Sequence, residues 1–584
     1  MKRGNIMNPF VGYLNTLHNA SGSNEHAIAE NNIGEKDSFS KELFFHRNIS
    51  EQLFKKLISG DGQIVILTGH AGDGKTSILQ EIIRKCTGEE LEPNQLKGKV
   101  TYENGRNIYY VKDMSEHEKE KQISIFKEAI SIQERKESII LISNTGPLFN
   151  ILQELGMEEE KIIQMLDTRE FSMVNERLDG KENVSILVAN LALFDNSDII
   201  AKFIERVVNE KLWKPCMQCE KQSYCPIFFN KENTKENKKQ VVAFAEWFYR
   251  WNFEHGERFT VRQMLAHIAY SFTGDMTCEQ IRKLQAEGNE KRKLYNSFSN
   301  LFFGFHYEKG KSVCHKDALQ IKPIYVLQQQ KLDRKRIEAE YELYVQHSYS
   351  GLPEKISFCI EVCHKAQELQ EVEEGMDKEF VRVVKRVYFM YHNKGDIENK
   401  ELQKAVFSDM FSLYMELQSA DIVSSRIKNQ IKNIVFHALH VLFMGTPPDQ
   451  SDKIYLTLRR RGNALQKVQI SQGYVDKEDF ILKFNGYSNV TNGKNEKCVF
   501  LQCKQQKMEL TLPMLEYFKE IESGRVITQV DKRLSQGVEN IKTKIFRAGK
   551  KNEEEDTITV VYSEDGKFKK MELFIEDGKI TVEK

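Results

Sequence analysis

The chain has 584 residues, 40% hydrophobic and 29% charged, an ordinary globular balance with apolar material for about three to four separate cores. Its 85 basic and 85 acidic residues cancel, so no overall field marks a nucleic-acid or membrane-surface protein, and local basic faces stay open. No apolar run approaches the ~20 residues of a membrane span, the first residues lack a signal-peptide core, and ten cysteines in so long a chain make no disulfide scaffold, so a cytoplasmic protein with no membrane partner is expected.

Residues 1–40 read as an N-terminal arm, and 41–212 as the first folded region. There, a short buried strand, Ile64 to Leu67 (IVIL), runs into GHAGDGKTS, Gly69 to Ser77, and Ile78, Leu79, Ile82 and Ile83 follow at helical spacing. The nine residues fit G-x-x-x-x-G-K-[ST] between a strand and a helix, which is the context a phosphate-binding loop requires. Gly69, Gly72 and Gly74 let the backbone curl around phosphates. His70, Ala71, Asp73 and Ser77 complete the loop, and the helix N-terminus favours anions. Lys75 is expected to reach the β- and γ-phosphates of ATP, and the Thr76 hydroxyl to ligate Mg²⁺. The plain alternative is a glycine-rich turn with a chance lysine.

Asn107 to Glu116 (NIYYVKDMSE) is an aromatic and β-branched run that ends in Asp113, read as the second strand of the site, whose carboxylate holds the Mg²⁺ shell beside Thr76. Glu116 is the nearest carboxylate that can polarise an attacking water. The common arrangement puts that glutamate directly after the aspartate. A strand-end aspartate and a solvated glutamate are the structural alternatives. A charged helix, His117 to Lys136, then leads to a buried strand, Ser138 to Ile142, that runs into Asn144. Asn144 either senses the γ-phosphate, as the polar residue at this strand tip does in additional-strand ATPases, or caps a helix starting at Pro147. A fifth strand, Val184 to Val188, completes an alternating series that implies a parallel sheet with helices on both faces. Arg169 and Arg177, just before it, are the two candidates for an arginine finger if subunits form a ring.

Residues 213–350 read as a cysteine knuckle and a helical lid. Cys216, Cys219 and Cys225 follow C-x2-C-x5-C spacing, which lets thiolates converge on one metal ion, and Cys278 is the candidate fourth ligand. Structural Zn²⁺ is expected, with an iron–sulfur cluster or plain reduced thiols as alternatives. The helix from Thr260 to Phe272 carries a capping box (Thr260, Gln263), an apolar face and a terminating Gly274. Arg262, in its first turn, is either a solvated arginine or the lid arginine that AAA+ proteins place on the γ-phosphate.

From about Gln280 to Gly445 the chain reads as mostly helical, with 351–446 as a helical domain. Cys359 and Cys363 read as core residues. Ile427, Ile431, Ile434, Val435, Ala438, Leu439 and Leu442 form one apolar stripe, either core or a partner's seat. Gly445 to Pro448 marks a linker, and 447–584 reads as a β-rich α+β domain. Its strands include Lys453 to Leu458, Phe480 to Phe484, Asp556 to Tyr562, Phe568 to Ile575 and Lys579 to Val582. Asp565-Gly566 and Asp577-Gly578 read as hairpin turns. Arg459, Arg460 and Arg461 are either a solvated strand end or a contact to phosphates. Val499 to Lys504 has the outline of a nuclease strand, but no upstream aspartate supports it, so nuclease activity is not expected.

The ordered set LFFHRNISEQLF, GHAGDGKTS, VKDMSE, LISNTGPL, W-x2-C-x2-C-x5-CPIFFN and FTVRQMLAHIAYSFTGDMTC, over about residues 40 to 280, resembles the DptF-type ATPases of bacterial DNA phosphorothioation-dependent restriction systems. More broadly it is similar to AAA+-like antiphage defence ATPases with a cysteine knuckle. The resemblance implies an α/β P-loop fold of the AAA+ type and an ATPase coupled to DNA or to a partner nuclease. It also implies nucleotide roles for Gly74, Lys75, Thr76 and Asp113, a structural role for the cysteines, partner subunits and assembly into a homo-oligomer. The rival expectation is a scaffold or signalling ATPase in which bound nucleotide controls oligomerisation with little DNA-dependent turnover.

Overall fold

In the computed structural model, the run Ile64 to Leu67 lies near the centre of a six-stranded sheet. The structure describes all residues except 1–6, 20–34, 59–61, 90, 92–94, 286–287, 369–377, 394, 420–422, 449–450, 458–467, 489–492, 494, 526–529, 551–556, 566, 577–578 and 584. The strands are β1 (Ile64–Thr68), β2 (Lys97–Thr101), β3 (Asn107–Val111), β4 (Ser138–Ile142), β5 (Ser172–Leu178) and β6 (Lys181–Asn190), in the order β2-β3-β4-β1-β6-β5. The four central strands are parallel, with Val65 level with Ile140 of β4 and Leu187 of β6.

Both faces of β1 are apolar because both are covered. Ile64 and Ile66 pack with residues of the helices Lys119–Glu134, Thr145–Glu154 and Glu159–Leu166. Val65 and Leu67 face the opposite way and pack with Asn48–Ile58 and Lys75–Thr87. Helices therefore cover both faces, as the sequence implies, but the sheet is mixed rather than parallel. β2 and β5 run antiparallel to their neighbours. Each is an edge strand of alternating exposure, which needs no buried second face. β5 turns into β6 through Asp179-Gly180, both with positive φ (48° and 76°), the geometry of a two-residue hairpin turn. Parallel strands end on one edge, so the segments after β1, β3, β4 and β6 emerge side by side.

By its contacts the chain divides into two units, Met1–Val406 with Ser488–Lys494, and Phe407–Tyr487 with Asn495–Lys584. In the first, the expected arm contributes a helix, Pro9–Asn19, that packs on the lid helix Val261–Thr273 and buries Phe10, Leu14 and Leu17. The lid helix has the expected capping box at Thr260 and ends at Gly274 in the left-handed conformation. One stretch read as helical is not: β7 (Phe305–Glu308) and β8 (Lys311–Cys314) form a hairpin about Lys309-Gly310, φ 48° and 87°. Cys359 and Cys363 are buried on the helix Glu354–Glu368.

In the second unit, helices Asp409–Ser419 and Ser425–Met444 group with the strands that follow them. The stripe on Ser425–Met444 is core: Ile431, Ile434, Val435, Ala438 and Leu439 are buried. A five-stranded sheet joins β9 (Lys453–Thr457), β10 (Val468–Asp476), β14 (Thr557–Glu564), β15 (Lys567–Glu576) and β16 (Lys579–Glu583) in the order β16-β15-β14-β10-β9. A three-stranded sheet holds β11 (Phe480–Ser488), β12 (Asn495–Cys503) and β13 (Gln506–Glu509). Glu564 pairs with Lys567 and Glu576 with Lys579, so both expected hairpins form, although residues 566 and 577–578 lie outside the described residues, as do Arg459, Arg460 and Arg461. Among the described residues no helix is long and apolar enough to cross a membrane.

Candidate functional site

The loop after β1 is held in a curl that only glycine tolerates at three positions. Gly69, Gly72 and Gly74 have φ of 144°, 88° and 78°. A Cβ at Gly69 would stand 2.8 Å from Asp73 Oδ2, and one at Gly72 would meet Thr260 Oγ1 at 3.1 Å and Arg262 Cβ at 3.2 Å. The His70 amide donates to Asp73 Oδ2 (2.8 Å), which closes the curl on itself. The helix Lys75–Thr87 then starts from Gly74, and no side chain caps it, so its first-turn amides and dipole are presented to the edge of the sheet. His70 and Ala71 are exposed, and Thr76 and Ser77 are half-buried on the first turn.

Lys75 is buried inside this curl. Its ammonium donates to Gly69 O, His70 O and Asn144 Oδ1, each at 3.0 Å. Burial lowers its pKa, while the carboxylates of Asp73 and Asp113 act in the opposite direction. Asn144 is the N-cap residue of Thr145–Glu154 but its side chain makes no cap bond. The oxygen points to Lys75 instead, so of the two sequence readings of Asn144 the cap is not what its side chain does. The Asn144 backbone N–H donates to Ser115 Oγ (2.6 Å), and the Ser115 backbone N–H donates to Asp113 Oδ1 (2.9 Å). Lys75, Asn144 and Asp113, from the ends of three adjacent parallel strands, are thus joined through Ser115. Glu116 lies on the same single turn, Met114–Glu116, with its side chain exposed.

Two arginines to which the sequence reading gave no role complete the loop's surroundings. Arg47 is buried; its guanidinium donates to Asp73 O (2.9 Å) and Asn196 Oδ1 (2.7 Å), and its amide to Glu81 Oε2. Burial lowers the Arg47 pKa, opposed by Asp198 and Asp73. Arg258, just before the lid helix, has Nη1 2.9 Å from Asp73 Oδ1 and donates through Nη2 to Leu191 O (2.8 Å). An acidic residue inside a loop built for anions needs cationic neighbours, and here Arg258 stands at the Asp73 carboxylate and Arg47 at its backbone carbonyl. Arg262 docks by its backbone, its amide donating to Gly72 O (3.1 Å), and its side chain is half-buried. Arg177 is exposed on β5 and Arg169 precedes that strand; β6 separates β5 from β1.

A second cluster lies among the helices of the same unit. Cys216, Cys219, Cys225 and Cys278 line one pocket together with Asn8 and Trp213, so the candidate fourth ligand shares a pocket with the other three. Asn8 Nδ2 donates to Cys216 Sγ (3.3 Å) and the Phe228 amide to Cys225 Sγ (3.5 Å). All four are free thiols, and burial pushes Cys216 up to about 11 and Cys225 to about 12. Four thiols facing one pocket are a chemically fitting donor set for zinc. Among the described residues, three such ligand atoms lie within 4.8 Å of one another at His306, Glu308 and His315, and no three of the four cysteine sulfurs do. Comparison with protein-family models, with curated proteins and with solved structures finds no match.

Proposed function

We propose that the chain binds ATP at the loop Gly69 to Ser77 and hydrolyses it in the cytoplasm. The observation that carries this reading is the hydrogen bond between Lys75 and Asn144, which ties a glycine-curled loop to the tip of the neighbouring parallel strand, with Asp113 one strand further on. A strand inserted between those bearing the lysine loop and the acidic residue is the order of additional-strand, AAA+-like ATPases, and it supports that fold assignment.

In this reading the γ- and β-phosphates take the place of the Gly69 and His70 carbonyls as partners of Lys75. Thr76 and Asp113 would hold Mg²⁺, which supplies charge neutralisation on the phosphate oxygens. Glu116 orients a water for in-line attack on the γ-phosphorus. The new P–O bond forms as the bridging bond to the β-phosphate breaks, giving ADP and inorganic phosphate. Asn144 holds Lys75 and a γ-phosphate oxygen in register, and Arg262 brings a second positive charge from the lid. Stabilisation of this kind rests on preorganised charge, which the buried lysine network supplies. Arg258 and Arg47 act as positioning residues that hold Asp73 and hence the curl.

The resemblance over residues 40 to 280 extends the proposal: hydrolysis serves a DNA restriction or antiphage complex, with DNA and partner subunits as the coupled components. The rival is a nucleotide-controlled assembly switch, favoured by the Asp73–Arg258 contact that links loop to lid. Turnover measured with and without DNA, on protein of known oligomeric state, separates the two. In the same proposal Cys216, Cys219, Cys225 and Cys278 hold a structural zinc that pins the knuckle to the start of the helix Cys278–Arg282.

A further inference from the structure

The β7–β8 hairpin carries a set of side chains that neither the nucleotide loop nor the cysteine pocket uses. His306 and Glu308 are two residues apart on β7 and so share a face. His306 is level with Val313 of β8, and His315 lies two residues beyond Val313, on the same side of the alternation. One nitrogen of each imidazole and one Glu308 oxygen lie within 4.8 Å of one another. His315 Nε2 is 2.8 Å from Glu308 Oε2, and the two imidazole rings are 4.0 Å apart between centroids. The His306 Nδ1 is shut off from solvent and has no hydrogen-bond partner among the described residues. A hydrogen-bonded His–Glu pair accounts for His315 and Glu308 and leaves His306 unexplained. A buried ring nitrogen without a partner is destabilising, and a bound cation would remove that cost.

We infer that His306, Glu308 and His315 form a binding site for a divalent transition-metal ion of the Zn²⁺ class, with water in the fourth position. Two imidazoles and one carboxylate are the donors such ions select, whereas Ca²⁺ and Mg²⁺ select oxygen-rich sets. Zinc bonds of about 2.1 Å put tetrahedral ligand atoms about 3.4 Å apart, within reach of side-chain rotation from the present spacing. A bound ion would tie His306 to Glu308 and His315 and clamp the hairpin that follows the helix Phe298–Phe302. This site stands apart from the nucleotide reading and survives its failure.

The test uses the full chain, stripped with a chelator, desalted and reloaded with Zn²⁺ or Co²⁺. Wild type is expected to hold one equivalent of zinc more than His306→Ala, Glu308→Gln or His315→Ala, with affinity at this site reduced more than about 100-fold in each. In the Co²⁺ form, d–d absorption without thiolate charge transfer persists in Cys216→Ser and disappears in His315→Ala. Glu308→Gln keeps the side-chain shape and decides the matter if an alanine variant unfolds. Equal zinc content and equal affinity in wild type and Glu308→Gln, with Co²⁺ absorption unchanged, overturn the inference.

Discussion

Arg258 Nη1 stands 2.9 Å from Asp73 Oδ1, with the two side chains 13% and 0% exposed, so the lid and the glycine loop share a buried ion pair. The contact is an ion pair rather than an aligned hydrogen bond, and the second Asp73 oxygen is taken by the His70 amide. Removing one partner of a buried pair strands the other charge, which costs about 3–5 kcal/mol. Arg258→Ala is therefore expected to destabilise the first unit by that amount. All three tryptophans, Trp213, Trp247 and Trp251, lie in that unit, so tryptophan fluorescence in a denaturant titration reports its unfolding alone. Asp73→Asn combined with Arg258→Met should recover part of the loss.

Asn144→Ala separates the sensing role from the cap role. Its side chain makes no cap bond, so helix stability should hardly change, while Lys75 loses one of three acceptors. The expected result is a fall in kcat of about 10²-fold with KM for ATP changed much less, the signature of an interaction made in the transition state. A fall in helix content with kcat unchanged would restore the cap reading.

His267 gives the lid an acid sensitivity. It is fully buried on the lid helix between the Tyr249 hydroxyl at Nδ1 (2.7 Å) and Phe302 O at Nε2 (2.7 Å). A carbonyl only accepts, so Nε2 carries the proton and Nδ1 accepts from Tyr249. Burial pushes the imidazole down from 6.5 to about 3. The folded form therefore binds this proton less readily than the unfolded chain. The stability it contributes is present above pH 6.5 and is lost as the pH falls from 6.5 towards 3. The slope is about 1.4 kcal/mol per pH unit for this one proton. Tryptophan-detected unfolding at a series of pH values should show that slope in wild type and lose one proton's worth of it in His267→Phe.

The elements that built the nucleotide site were legible because each carries a local signal. IVIL, NIYYV, SIILI and VSILV are apolar on both faces, and the lid helix has a capping box and a glycine stop. The edge strands KGKVT and SMVNERL are polar on one side and carry no such signal, although Asp179-Gly180 was a usable turn signal. The β7–β8 hairpin was hidden by the helical stretches around it. Arg47 and Arg258 were not legible as partners of Asp73, because their pairing is set by the return of the chain from both sides of the sheet rather than by local pattern.

The cysteine pocket predicts a metal-dependent protection pattern. With zinc bound, Cys216, Cys219, Cys225 and Cys278 should resist alkylation at neutral pH, and chelation should expose all four together. Cys225→Ser should lose one equivalent of zinc relative to wild type in elemental analysis, whatever the state of the hairpin site. Independent alkylation of the four thiols in untreated protein would argue for plain reduced cysteines, of which Cys216 and Cys225 already react slowly because burial raises their pKa.

The most direct test of the central claim is steady-state phosphate release from ATP by wild type and Lys75→Ala, with and without Mg²⁺ and with and without double-stranded DNA. Mg²⁺-dependent turnover is expected to fall at least about 10²-fold in Lys75→Ala and to rise when DNA is added. Turnover in Lys75→Ala equal to wild type, or no Mg²⁺-dependent turnover under any condition, would contradict it.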